Sequence, residues 1–365
     1  MKKVLFITNL PSPYRVAFFD ELGKCADVTV VYADLPEDHQ GREAAWFEKA
    51  KGNFREVWLK KRWKLFREAN LCLDVIDFIK QPFDEIILCG YSSPTFLLAI
   101  AYMKAKKIPF CLEADGGLVR EESGLKYKFK RSLVSSASTW LSSGKCTTDF
   151  FCHYGADREK VYTYPFTSLS QGDMLDEVPS QGEKQTLRRE LGIPEPKMVL
   201  SIGQFIPRKG FDILMEAASK LEENVGIYIV GGEPTEEYLR MQNDLDLSQV
   251  HFVGFQKKDV LSKYYRAADV FVLPTREDIW GLVINEAMSY GLSVVTTNRC
   301  VAGLVLVENG VSGYIVPVED ADALAERTAA ILDGDSCRMG QAALDAIRPY
   351  TLENMAKAHL DFLNR

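Results

Sequence analysis

Short, β-rich apolar runs alternate with helix-length segments along almost the whole chain, and this alternation limits the fold more than any other feature. In the first half the runs are KVLFIT, DVTVVYA, EIILCGY, IPFCLEAD, TWLSSG and KVYTYPF. In the second they are MVLSIG, VGIYIVGG, VHFVGF, DVFVLPT, LSVVTT and GYIVP. A strand that is apolar throughout must be covered on both faces, and strands separated by helices pair in parallel. The pattern therefore predicts an α/β chain of two doubly wound, Rossmann-like domains facing across a cleft, and 365 residues suit two domains. The polar stretch SLSQGDMLDEVPSQGEK, residues 168–184, reads as the connection. The expected boundaries are 1–170 for the first domain, 171–196 for a linker and 197–345 for the second domain. Residues 346–365 should form a C-terminal helix, with an apolar stripe through Leu352, Met355, His359 and Phe362, that packs back on the first domain.

Several function classes are disfavoured at once. The apolar run FLLAIAYM is far shorter than the roughly 20 residues of a membrane span. The N-terminal apolar segment stops at Asn9, too soon for a signal peptide. Eight cysteines are scattered with no CxxC pair, which fits a reducing cytoplasm rather than a zinc or disulfide framework. The four histidines, His39, His153, His251 and His359, stand apart from one another, so no metal is expected; Asp244-Leu245-Asp246 resembles a metal-binding DxD but reads as a solvated turn. The net charge is −7, and it is uneven: Lys+Arg against Asp+Glu is 25 to 24 over residues 1–180 and 19 to 27 over 181–365. An acidic chain without a nucleic-acid motif is not expected to bind nucleic acid. Residues 51–67, KGNFREVWLKKRWKLFR, hold seven basic residues and one acidic residue among Phe54, Trp58, Trp63 and Phe66. That mixture, and KYKFKR at 126–131, suits either an anionic membrane surface or a solvated face whose aromatic rings turn inward. Poor burial of Trp58 and Trp63 would favour the membrane.

Ligands of open parallel sheets bind beyond the carboxyl ends of the strands. MVLSIG ends at Gly203; Gln204 follows, and then Arg208-Lys209-Gly210, leading into an amphipathic helix. Two cations beside a helix start can hold a phosphate, although a plain basic turn reads the same way. This is not a P-loop, and no GxGxxG follows the first strand, which disfavours a nicotinamide enzyme. After DVFVLPT, Asp278 falls in a strand-to-helix loop and Glu286 on the following helix. A fully helical interval would separate them by about 12 Å, beyond a glycosidase pair but suited to two ends of an extended ligand. The free N–H groups of Gly281, Leu282 and Val283 would face an anion between them. Surface acids around a helix start are the plainer alternative.

The segments SIGQFIPRKGFDIL, VHFVGF, YYRAADVFVLPTREDIWGLVINEAMSYGLSVVTTN and ENGVSGYIVPVEDADALAERTAAIL are similar, in order and spacing, to the C-terminal domain of family 4 glycosyltransferases. These are retaining, nucleotide-sugar-dependent enzymes of the two-Rossmann-domain GT-B fold. The resemblance extends more loosely to the first half, through PSPYRVAFFDEL and SSGKCTTDFFCHYGADREKVYTYPF. It implies that Asp278 contacts the donor sugar, that Glu286 holds the ribose, and that Lys209, helped by Arg208, binds phosphate. It further implies donor contacts at Gly203, Gln204, Gly281, Leu282 and Val283, and a nucleobase cradle at Phe252, Gly254 and Phe255. The second domain would then bind the donor, and the first an acceptor, near Pro13, Tyr14, Arg15, Glu113 and Asp115. Three positions depart from the family pattern: Asp278 stands for the usual Glu, Gln204 for a common Arg, and CLEADGG where many relatives carry a His. The implied activity is a metal-independent, retaining transfer of a sugar from a nucleotide-diphosphate sugar to a glycan or lipid-linked acceptor, in polysaccharide or cell-surface glycan synthesis. It would occur in the cytoplasm, with peripheral contact to an anionic membrane through residues 51–67, and without a cofactor. A non-catalytic nucleotide-sugar-binding subunit and a nucleotide-sugar epimerase of the same fold are the alternatives.

Overall fold

All twelve apolar runs are strands, arranged in two parallel sheets that belong to two compact units, Met1–Ser170 with Tyr350–Arg365, and Gln171–Pro349. The computed structural model describes residues 1–34, 52–66 and 69–365. Lys51 and Arg67, the ends of the basic-aromatic segment, and His39 lie outside the described residues.

The first unit begins with β1 (Lys3–Thr8), α1 (Pro13–Leu22), β2 (Asp27–Tyr32) and β3 (Arg55–Trp58). A hairpin of β4 (Arg62–Phe66) and β5 (Ala69–Cys72) and the short α2 (Val75–Ile79) follow. Then come β6 (Glu85–Leu88), α3 (Pro94–Lys106), β7 (Cys111–Ala114), α4 (Gly124–Val134), β8 (Thr139–Ser142), α5 (Lys145–His153) and β9 (Val161–Thr163). The sheet order is β3-β2-β1-β6-β7-β8-β9, with every pair parallel. Central β1 is buried from Val4 to Thr8, whereas β9 at the edge is only half covered. Strands β3 to β5 were not foreseen, because their charged sequence carries no apolar run. Their support is local: Trp58 lies on Tyr32, ring centroids 4.9 Å apart, and the antiparallel β4–β5 pairing is independent of the main sheet.

The second unit comprises α6 (Gln181–Leu191), β10 (Lys197–Ile202), α7 (Phe211–Ala218), β11 (Val225–Val230), α8 (Glu236–Asp244), β12 (Val250–Val253) and α9 (Lys258–Ala267). It continues through β13 (Val270–Leu273), α10 (Leu282–Ser289), β14 (Ser293–Thr297), α11 (Val301–Leu306), β15 (Gly313–Val316), α12 (Ala321–Asp333) and α13 (Ser336–Ile347). Its parallel sheet runs β12-β11-β10-β13-β14-β15. Val199, Ile227, Ile229, Val270 and Val272 fill one side of it against Phe211, Leu214 and Leu324. Each such side chain contributes about 1.5–3 kcal/mol by leaving water.

Two boundaries differ from the sequence expectation. Residues 181–191, inside the stretch read as a linker, form a capped helix: the Ser180 hydroxyl accepts from the Glu183 N–H. That helix is anchored in the second unit by Arg188 and Lys184, both buried against Asp269. Residues 346–347 end α13, so the returning helix, α14, is Leu352–Leu363. Its stripe of Leu352, Met355, His359 and Phe362 is buried in the first unit, where the His359 ring lies 4.5 Å from Phe18 of α1.

Candidate functional site

In the second unit the strand order reverses between β10 and β13: one branch runs outward to β12, the other to β15. Such a reversal opens a crevice beyond the carboxyl ends of the strands. The two chain segments that leave β10 and β13 carry Arg208-Lys209 and Asp278, and local structure brings them together.

After β10 the chain makes a short 3-10 turn over Pro207–Lys209, closed by Gly210 at φ 68°. A Cβ on Gly210 would stand 2.2 Å from the Pro274 carbonyl oxygen, so only glycine lets this turn lie against the exit of β13. The turn is then held there. The Arg276 N–H and the Thr275 hydroxyl both donate to the Arg208 carbonyl, at 2.8 and 2.9 Å, and the Arg276 guanidinium donates to the Pro207 carbonyl at 2.6 Å. In consequence Lys209 Nζ stands 2.6 Å from Asp278 Oδ2, and an Arg208 guanidinium nitrogen 3.0 Å from Oδ1. The Lys209 stem passes over Gly203, where an added Cβ would meet its Cε at 3.3 Å. Gln204 is exposed, and its carbonyl accepts from the Ile206 N–H.

Asp278 itself is fixed through its backbone. Its N–H donates to the Arg299 carbonyl at 3.0 Å, and its carbonyl accepts from the Val301 N–H at 3.2 Å. Gly281, at φ 103°, caps α10 and packs so closely on Cys300 that a Cβ would lie 2.9 Å from the sulfur. The Cys300 thiol donates to the Trp280 carbonyl; burial first, then the Asp278 carboxylate, pushes its pKa up to about 12. A thiol so held stays protonated and is no nucleophile at neutral pH. The Trp280 indole N–H donates to Asn285 Oδ1 at 2.8 Å, tying the loop to α10. Gly281, Leu282 and Val283 thus form the first turn of that helix, whose N–H groups are oriented outward along its axis.

Glu286 sits on the second turn of α10, and its Oε2 accepts from the Tyr265 hydroxyl at 2.8 Å. Tyr265 is buried on α9 and stacks on Tyr290 with centroids 5.0 Å apart. Burial and the Glu286 carboxylate raise its pKa well above the ordinary value, so the hydroxyl remains a donor. This positioning residue escaped the sequence reading, although the run Tyr264-Tyr265 before DVFVLPT was its signal. Thr275, Trp280, Asn285 and Cys300 escaped as well, since their roles are contacts rather than charges. At the end of β12, Phe252 turns inward onto Phe205, with centroids 5.5 Å apart, whereas Phe255 is 67% exposed. Gly254 accepts from the Gln256 side chain at 3.2 Å. Among the described residues no group of three or more His, Cys, Asp and Glu side chains could hold a metal ion, and no helix is long and apolar enough to cross a membrane.

In the first unit the expected acceptor residues divide. Arg15 and Glu113 are buried and paired with each other at 2.7 Å, and Arg15 also binds Asp115. Arg15 and Glu113 are therefore interior supports, because their charges are consumed by one another; Asp115, at the end of β7, keeps part of its side chain in solvent. Pro13 and Tyr14 are half-buried at the start of α1, and Tyr14 packs edge-on against Phe166 at 5.6 Å. Burial, opposed by Arg15 and reinforced by Glu113, pushes the Asp115 carboxyl up to about 6. Burial acts in the same sense on Glu113, but Arg15 and His359 outweigh it and hold that carboxyl well below the usual range. A raised carboxyl makes its charged form a burden on the fold. Stability associated with Asp115 should fall as pH rises from its ordinary 3.8 through about 6. The stability of Asp115→Asn relative to wild type is expected to rise by about 1–2 kcal/mol across that interval. Denaturant unfolding at both ends of the interval checks this; a constant difference would refute the assignment.

Residues 183–344 match the family model described as "Glycosyl transferases group 1". A D-inositol 3-phosphate glycosyltransferase of Xylanimonas cellulosilytica is 31% identical over 258 residues, covering 67% of this chain and 61% of that protein. The chain thus spans less than two thirds of the length of the curated relative. Among solved structures, Anabaena HepE in complex with UDP and glucose matches with a TM-score of 0.75, 18% identity and complete coverage of both chains. Sucrose-phosphate synthase of Thermosynechococcus elongatus matches with a TM-score of 0.75 and 17% identity, over 100% of this chain and 98% of that one. The chain has the GT-B fold, and most of its second unit matches the model of the glycosyl transferase group 1 family.

Proposed function

We propose that this protein is a retaining glycosyltransferase of the family 4 type, moving a sugar from a nucleoside-diphosphate sugar to a glycan or lipid-linked saccharide. The observation that carries the reading is the convergence of Lys209, Arg208 and Asp278 at the strand reversal, beside the N-terminus of α10. Lys209 and Arg208 take the diphosphate, and the N–H groups of Gly281 to Val283 meet its oxygens. Asp278 meets the donor sugar. Glu286, oriented by Tyr265, takes the ribose, while Gly254 and Phe255 border the base.

The chemistry follows from the charges. As the bond between the anomeric carbon and the diphosphate oxygen breaks, negative charge grows on the phosphate beside two cations and a helix start. Each well-placed donor of this kind contributes about 3–4 kcal/mol in transition states. The acceptor hydroxyl attacks from the face that the diphosphate leaves, which retains configuration, and its proton passes to the departing phosphate. Neither an enzyme nucleophile nor a metal enters this scheme. A role in polysaccharide or cell-surface glycan synthesis, at the cytoplasmic face of a membrane, fits an acceptor of that class. HepE binds UDP, which makes uridine the first base to try.

The test is calorimetric titration of UDP, GDP and ADP into the metal-free protein, alongside Lys209→Ala. One nucleotide should bind, with affinity at least about thirtyfold lower in the variant, as expected for loss of a charge-assisted contact. Absence of binding by all three would sink the reading.

A further inference from the structure

The first unit carries a surface that the donor site does not use. Helix α4 buries one side: Tyr127 packs against His153 and Tyr154, Val134 lies in the core, and Lys130 sits over the rings of Phe150 and Tyr154. Its opposite side is where a solvated helix would place charge. Instead Leu125 and Phe129, four residues apart and so on one face, are 85% and 57% exposed. Exposed Lys126 and Lys128 stand on either side of them; Lys126 Nζ reaches Glu122 at 3.3 Å, yet its side chain remains 78% open to solvent. From Gly124 to Val134 the helix holds Lys126, Lys128, Lys130 and Arg131 and no acidic residue, in a protein of net charge −7.

We propose that this face of α4 docks on the headgroup region of an anionic lipid bilayer. Two apolar side chains projecting together can enter the boundary between headgroups and acyl chains, and flanking lysines can extend their ammonium groups to lipid phosphates. The local positive charge matches a negative bilayer surface, whereas the molecule as a whole is repelled by one. The hairpin β4–β5 offers a second observation. Trp63 is 62% exposed beside exposed Lys60 and Lys61, whereas Trp58 is half-buried against Tyr32. Leu59 and Cys72, which flank that hairpin, belong to the same side of the core as Tyr127, Leu133 and Val134 of α4. The hairpin and α4 therefore cover one face of the first unit's sheet. The proposal does not depend on the glycosyltransferase reading.

Sedimentation with phosphatidylcholine vesicles, with and without an equal part of phosphatidylglycerol, tests it at about 0.1 M salt, where charges act over about 10 Å. Wild-type protein should partition roughly tenfold more strongly onto the anionic vesicles, and Leu125→Ser/Phe129→Ser should remove that excess. The double variant should keep its unfolding midpoint, because both side chains face solvent, and its nucleotide titration should match wild type whatever that shows. Glycerol phosphate should not displace the bound protein, since a free phosphate offers no apolar layer. Failure of wild type to bind anionic vesicles would overturn the proposal and point to a protein partner. Binding undiminished in the double variant, or abolished only by Trp63→Ser, would also overturn it.

Discussion

Asp278→Asn is expected to lower turnover by about two orders of magnitude or more while tightening nucleoside-diphosphate binding, two effects of opposite sign. The Asp278 carboxylate lies 2.6 Å from Lys209 and 3.0 Å from Arg208, the two cations proposed to take the diphosphate. A diphosphate must displace it from them. Asparagine keeps the shape and removes the competing charge, so the cations are free for the ligand. Arg208 is about half exposed, and solvent screening limits the gain to about 1 kcal/mol, or roughly fivefold in affinity. On the role proposed for Asp278 at the donor sugar, turnover falls because a neutral amide does not act there as a carboxylate would. Calorimetry and a coupled assay for nucleotide release read the two quantities separately. Weaker binding and weaker turnover together would mean that Asp278 only holds the loop in shape. Tighter binding with unchanged turnover would leave Asp278 without a role on the sugar, and no turnover in either protein would favour a non-catalytic nucleotide-sugar-binding subunit.

Asp269→Ala is expected to destabilise the second unit by about 3–5 kcal/mol, because it strands two buried cations. Asp269 sits just before β13 and accepts from Arg188 at 2.6 Å, Lys184 at 3.4 Å and the Met198 N–H at 2.8 Å. All three charged side chains are almost wholly buried. Arg188 would retain its bonds to the Ala267 carbonyl, at 2.8 and 2.9 Å, but without a counter-charge. Burial lowers the Lys184 pKa, so in the variant Lys184 can shed its proton, which places the loss toward the lower end of the range. Trp280 is the sole tryptophan of residues 171–349, so the part of the tryptophan emission change during urea unfolding that Trp280→Phe removes reports on this unit. A loss below about 1 kcal/mol would mean that α6 moves to let both cations reach water.

The two carboxylates show why one part of the molecule was legible in the sequence and another was not. Asp278 follows an apolar strand and precedes a glycine and a helix, so the local pattern alone placed it at a strand's carboxyl end. Lys209 was legible in the same way. Their contact was not: it depends on Gly210 approaching Pro274, a distance that no periodicity encodes. Asp269 carries no local signal at all. Lys184 and Arg188, four apart on a polar helix, look like solvated surface, and the carboxylate that buries them lies 85 and 81 residues further on. Residues 181–191 therefore read as linker until the fold supplied the partner. Arg15 and Glu113 give the converse case: two charges, one in the first turn of α1 and one on β7, that looked available for a ligand and instead neutralise each other in the interior.

The α/β class, twelve of the fifteen described strands and the stripe of α14 are legible in the order of residues alone. Each follows from the period of apolar residues, which is a property of neighbours along the chain. Tertiary structure alone decided which cations face Asp278, which hydroxyl orients Glu286 and which charges are hidden. It also decided that Leu125 and Phe129 point outward. Those outcomes depend on pairs of residues distant along the chain, where burial and charge are settled only when the elements pack.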